Sequence, residues 1–185
     1  MSSTQEDLRT IALTEFARAG YAATSLQHIA ELAGLSKSSV LYHYASKEAL
    51  LEAAIGPAID RMELIVEQSR GLGLAGNNRV LFLESFVDFL LVFRLEVNLF
   101  INQGPSLVDV PVIDRANEVV KWLADFFATN TDSLEEKMRF GIALGGAAYM
   151  LCTVTTLDLE VGTRDETRAA LIAIMSDLLT PVSTH

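Results

Sequence analysis

Lys37, Ser38, Ser39, Tyr42 and His43 put one cation, two short hydroxyls and two polar rings within seven residues. Groups of this kind suit base edges and phosphates, and Thr24, Ser25 and Lys47 flank them with further donors. Other chemistries are poorly served. His28, His43 and His185 stand at no metal-ligand spacing, and neither a G-x-S-x-G nor a P-loop occurs. The sequence therefore predicts no enzyme, no metal and no cofactor. His28 reads as a surface histidine facing solvent or phosphate. The stretch from Gly71 to Gly76 fits G-x-G-x-x-G literally, but an amphipathic helical pattern precedes it rather than a strand. It reads as an interhelical loop.

Two short helical patterns have to position the polar set. Ser25 is placed to cap the first by accepting from an exposed amide of the opening turn. Leu26, Ile29, Ala30 and Ala33 then recur at helical spacing, and the small Ala30 lets another helix approach closely. Gly34 can take the positive φ that ends a helix in a sharp turn. Ser36 is the next cap, with Val40, Leu41 and Tyr44 expected to face inward. Short helix, glycine turn and second helix with a polar outer face form the layout of a helix-turn-helix, whose second helix enters the DNA major groove. A plain αα-hairpin can also place Ala and Gly at a crossing. The agreement of caps, inner positions and outer face favours the DNA-reading module.

Residues 8–51 resemble the DNA-binding domain of the tetracycline-repressor (TetR) family of transcriptional regulators. The resemblance is carried by an amphipathic first helix ending at Ala19-Gly20-Tyr21, by Thr24-Ser25, Ile29-Ala30 and Ala33-Gly34-Leu35-Ser36-Lys37, and by His43-Tyr44-Ala45-Ser46-Lys47-Glu48-Ala49-Leu50. It implies an all-α dimer with a three-helix DNA-binding head over 1–50 and a ligand-binding and dimerisation bundle over 51–185. Two departures stand out. Family members usually carry Leu-Tyr where this chain has Val40-Leu41, with that tyrosine contacting the DNA backbone. Here the nearest ring is Tyr42, about 100° further round the helix. Tyr44 stands where the family has phenylalanine.

Half of the 185 residues are apolar, enough for a large core, and the net charge is −10. The acidity is uneven. Residues 1–50 hold four cations and five acids, whereas the remainder holds ten cations and nineteen acids. A nearly neutral head on an acidic body would bind DNA weakly as one copy, so two heads on one operator are expected. The single cysteine, Cys152, excludes an intrachain disulfide and fits a reducing cytoplasm. Residues 1–10, MSSTQEDLRT, read as no secretory signal.

The rest reads as helix. The first spans about Gln5 to Ala19 after a Thr4 cap, and the fourth runs from Ser46 towards Arg70 with a kink or break expected at Gly56-Pro57. Arg79 to Ile101 reads as one helix apolar nearly all round. Gly104-Pro105 marks a break. Pro111 to Phe127 follows, with Val112, Ala116, Val119, Val120, Leu123 and Phe127 inward. Asp132 or Ser133 caps a helix reaching Leu157, and Thr163 caps a last one ending before Pro181. The uncharged stretch from Phe140 to Leu157 could also be read as a membrane helix, but its glycines, threonines and short length favour a buried helix without membrane contact.

In the resembled family the helices after the fourth enclose a pocket and the last two form the dimer. That makes Phe86, Phe89, Phe93, Phe100, Trp122, Phe126, Tyr149 and Met150 candidate ligand contacts, although each also reads as plain core. Gly141, Gly145, Ala148, Leu171, Met175 and Leu178 are the corresponding dimer candidates. The expected function is a cytoplasmic, homodimeric repressor that binds a palindromic double-stranded operator. A small apolar or aromatic effector would release it by moving the fourth helix, with Gly56-Pro57 as the point of bending. The competing expectation is a helical interaction or scaffold protein without DNA binding.

Overall fold

The computed structural model describes residues 3–73, 76–104, 107, 110–129, 131, 133–157 and 162–179. Of the features expected from sequence, Leu74 and Ala75 of the glycine-rich stretch, Pro105, Asp132, Pro181 and His185 lie outside them. Among the described residues there are nine helices and no strand: α1 Ser3–Ala19, α2 Leu26–Leu32, α3 Lys37–His43, α4 Lys47–Leu72, α5 Asn77–Val92, α6 Arg94–Gln103, α7 Pro111–Thr129, α8 Leu134–Thr156 and α9 Arg164–Leu178. The all-α class is as expected.

Local chemistry explains most helix starts. Ser133 accepts from the Glu136 amide at 3.1 Å and caps α8. Thr163 and Glu166 form a reciprocal capping box at α9. The α1 helix starts at Ser3, so Thr4 lies inside it rather than capping it. Gly71 and Leu72 of the glycine-rich stretch end α4 instead of lying in a loop, while Gly73 and Gly76 fall between α4 and α5, with no strand among the described residues.

The break allowed at Gly56-Pro57 does not occur, and the single 79–101 helix does not form. α4 runs unbroken through Pro57. Proline in a helix interior costs about 3 kcal/mol, but Pro57 is exposed while Ile55, Ile59, Met62, Ile65 and Val66 are buried along the same helix. Burying side chains of that size stabilises by roughly 1.5–3 kcal/mol each, which outweighs the one lost bond. The expected 79–101 helix is instead two, α5 and α6. They are divided at Phe93, whose φ of −105° and ψ of 37° leave the helical region. Neither glycine nor proline marks that point.

The chain forms two compact units. One comprises residues 1–60 and 95–116, the other 61–94 and 117–185, so the first is discontinuous and takes in α6 as well as the expected head. In the first unit Leu8, Ala12, Phe16, Ile29, Ala30, Val40, Leu50 and Leu51 are fully buried. The Tyr44 hydroxyl donates to the Gln5 carbonyl at 3.0 Å. Gln103, the last residue of α6, holds the end of α1. Its Nε2 donates to the Phe16 carbonyl at 2.6 Å, and its Oε1 accepts from the Tyr21 amide at 2.7 Å.

In the second unit α9 packs on α5 and α8. A chain of rings fills this unit, with Phe82 and Phe86 centroids 5.9 Å apart, Phe86 and Phe89 6.4 Å, and Phe127 and Phe140 4.3 Å. Phe86, Phe89 and Phe126 are buried, while Phe93, Trp122 and Met150 are half-buried. Arg70 lies over the Trp122 ring, 5.4 Å from its centroid. Two ligand candidates stand apart: Tyr149 is 61% exposed, and Phe100 belongs to the first unit.

Leu171 and Met175, expected at the dimer face, are instead 5% and 1% exposed within the protomer itself. The sequence of α9 is apolar on more than one side, and the side that meets α5 and α8 takes these two. Gly141 and Gly145 are exposed, and Ala148 and Leu178 are half-buried. In α7, Val120 is exposed and Leu123 half-buried, against the inward expectation for both; Phe126 is buried together with Phe127. No helix among the described residues is long and apolar enough to cross a membrane.

Arg168 joins α9 to α5 through a two-pronged bond to Asp88, at 2.6 and 2.9 Å. The guanidinium holds the Asp88 carboxyl below its ordinary value. Its contribution to stability is therefore present above the unfolded aspartate pKa and is lost as pH falls through the depressed folded value. Both side chains are more than a third exposed or close to it, so the pair contributes no more than about 1 kcal/mol. Asp88→Asn should lower unfolding free energy by that amount at pH 7, and the difference should vanish in acid, as read by urea titrations across pH. Gln103→Ala should cost about 1–3 kcal/mol, because the Tyr21 amide loses its acceptor. Faster hydrogen exchange at Tyr21 would accompany it.

Candidate nucleic-acid interface

The polar face of α3 is set by the turn before it. Ser25, in extended conformation, accepts from the His28 amide at 3.1 Å and starts α2. At the other end Gly34 adopts φ +66°. The Leu35 amide reaches back to the Ala30 carbonyl at 2.8 Å and the Gly34 amide to the Glu31 carbonyl at 3.1 Å. These two bonds make a complete Schellman closure. Ser36 then caps α3, accepting from the Ser39 amide at 3.1 Å. α2 packs on both α1 and α3, with Ile29, Ala30 and Val40 fully buried.

This leaves Lys37, Ser38 and Tyr42 exposed, Tyr42 at 86%. The Tyr42 ring stands edge-on to His43 with centroids 5.3 Å apart, and His43 is half-buried. Ser39 is half-buried, its hydroxyl 2.8 Å from that of Ser36, and the Ser38 hydroxyl lies 3.1 Å from the same oxygen. Leu41 departs from expectation. It is 41% exposed, because Val40 and Tyr44 alone define the inward line of so short a helix.

Two of the expected contact residues lie behind the surface. Thr24 is 2% exposed, and its hydroxyl donates to the Gly20 carbonyl at 2.8 Å and, more weakly, to that of Glu15 at 3.3 Å. Lys47 directs its ammonium to the carbonyls of Tyr21 and Thr24, at 2.8 and 3.0 Å, and lies 4.2 Å from the Tyr21 ring centroid. Both pin the α1–α2 turn. The Tyr21 hydroxyl donates to Glu48 at 3.2 Å. Burial, with the Glu48 carboxylate, pushes that phenol up to about 12, so it remains a donor.

A cluster that sequence reading missed ties α1 to α2. Glu15, 7% exposed, receives two bonds from Arg18, at 3.1 and 2.8 Å, and its Oε2 lies 3.1 Å from His28 Nε2. Hydrogen bonding from Arg18 lowers the Glu15 pKa against the opposing effect of burial. His28 therefore faces a carboxylate of its own chain. The i, i+3 spacing of Glu15 and Arg18 was a legible signal; the arrival of His28 depends on how α1 and α2 cross. Of the four cations in residues 1–50, Arg18 and Lys47 are engaged in this way and Arg9 lies 3.8 Å from Glu6. Lys37 is the exposed one on α3.

The same segment is recognised by likeness. Residues 9–54 match the family model of bacterial regulatory proteins, tetR family. The HTH-type transcriptional regulator RutR of Escherichia coli is 40% identical over 60 residues, which is 32% of this chain and 28% of that protein. The HTH-type regulator YerO of Bacillus subtilis is 37% identical over 75 residues, 38% of this chain and 26% of that one. These matches thus span under a third of the length of these relatives. In fold the likeness extends further. A TetR-family transcriptional regulator from Bordetella parapertussis superposes with a TM-score of 0.69 at 18% identity, covering 96% of both chains. The ketosteroid transcriptional regulator KstR2 of Mycobacterium tuberculosis gives 0.67 at 14%, covering 97% of this chain and 94% of that one. Residues 9–54 thus resemble the tetR family of bacterial regulatory proteins in sequence, carried on a helical fold shared with these structures.

Proposed function

We propose that this protein is a ligand-responsive DNA-binding repressor that acts in the cytoplasm. Two copies seat their α3 helices in the major groove of a palindromic operator, and a small apolar or aromatic effector releases them. The observation that carries the reading is the outward face of α3, where Lys37, Ser38 and Tyr42 project from a helix fixed by the Gly34 closure and the Ser36 cap. Ser39, His43 and the capping Ser25 border that face, while Thr24 and Lys47 support it from behind. One head offers few cations for phosphates, and the energetic remedy is a second head.

The surface for that second copy is the exposed apolar stripe of α8, comprising Leu134, Met138, Ile142 and Tyr149, with Ile174 on α9. These α8 positions recur at helical spacing with Gly141 and Gly145 beside them, and large solvent-facing apolar patches mark association surfaces. The effector reading rests on the rings of the second unit. The control element is α4, which begins in one unit and ends in the other. Switching from nearly all competent to nearly all incompetent takes about 5.5 kcal/mol of differential binding, within reach of a buried aromatic ligand.

Lys37→Ala combined with Tyr42→Ala should abolish the gel shift of DNA flanking the protein's own gene and leave a dimer of unchanged melting temperature. Sequence-specific shifts retained by that variant would overturn the assignment of α3. Ile142→Glu should convert the sedimenting species from dimer to monomer and weaken operator binding with it, since a charge would be buried unpaired at the interface. An unchanged dimer would remove this stripe from the association surface.

A further inference from the structure

Leu41 is an apolar side chain held outward in the middle of a helix whose other outward groups are polar. We propose that it is a base-reading residue, which packs against the C5-methyl of a thymine in each half-site. The inference rests on the DNA-binding reading above and concerns what that surface selects.

The geometry points to it in three steps. A recognition helix meets base edges with its N-terminal residues, here Lys37 and Ser38. Leu41 stands four places after the first and three after the second, so it lies between them on the helix surface, one turn on. It shares their direction, with its side chain 41% exposed and the fully buried Val40 taking the inward position beside it. The second step is chemical. The position holds no hydroxyl, amide or charge, so it cannot bond a phosphate or a base heteroatom. In the major groove the one apolar group that distinguishes a base is the thymine methyl. The third step is electrostatic. Residues 1–50 hold four cations against five acids, so phosphate neutralisation supplies little, and phosphate contacts carry no sequence information. Discrimination has to come from contacts at base edges.

The test uses the full-length protein and the duplex it enriches from a random-sequence library. Each thymine in that duplex is replaced in turn by deoxyuridine, which keeps the pairing and removes only the methyl. Wild type should lose about fourfold in affinity when one half-site thymine is replaced, and about fifteenfold when both symmetry mates are. Leu41→Ala should bind the thymine and uracil duplexes alike. Leu41→Met, which keeps an apolar reach, should retain the discrimination. The exposed position predicts that both variants melt with wild type. The inference is overturned if wild type binds every uracil duplex as tightly as its parent, or if Leu41→Ala shows the wild-type loss. If no duplex is enriched, the DNA-binding reading itself falls and takes this one with it.

Discussion

At Gly34 the backbone turns through φ +66°, and within two residues one helix has ended and Ser36 has capped the next. Each outward group of α3 inherits its direction from that reversal. A β-carbon at Gly34 would meet nothing within 4 Å, so the requirement is conformational and not one of space. The left-handed backbone costs an ordinary residue roughly 1–2 kcal/mol. The Leu35–Ala30 bond then fixes how far the chain has turned when α3 begins. Behind the turn, the Thr24 hydroxyl bonds the Gly20 carbonyl and the Lys47 ammonium bonds those of Tyr21 and Thr24, adding to the backbone bonds that hold the segment between α1 and α2.

The head uses its polar groups largely on itself. Glu15, Arg18 and His28 form one cluster, in which the Arg18 side chain stays 67% exposed, and Lys47 forms another. With four cations and five acids, residues 1–50 are nearly neutral. Geometry adds that the cation projecting from α3 is Lys37. The outward face of α3 is therefore mainly hydroxyls, rings and one leucine.

What could be read in the sequence was what local chemistry decides. Ser25, Ser36, Ser133 and Thr163 cap where their types and spacing require, and Gly34 turns as only glycine does cheaply. What could not be read depends on which side of an element meets its neighbour. Lys47 has the composition of a phosphate contact, but its ammonium finds carbonyls across the turn. Leu171 and Met175 are apolar on a helix apolar on several sides, and the approach of α5 and α8 decides that they face inward. The division at Phe93 carries no local mark, and burial along α4 overrides the proline that does.

The grip of Gln103 has an evolutionary corollary. Its carboxamide holds the Phe16 carbonyl and the Tyr21 amide, groups that every residue but proline presents whatever its side chain. The attachment of α6 to the end of α1 is thus indifferent to which residues occupy positions 16 and 21, provided the backbone keeps its course. Such a joint lets side chains around the end of α1 change over time while the mechanical connection to α6 stays in place.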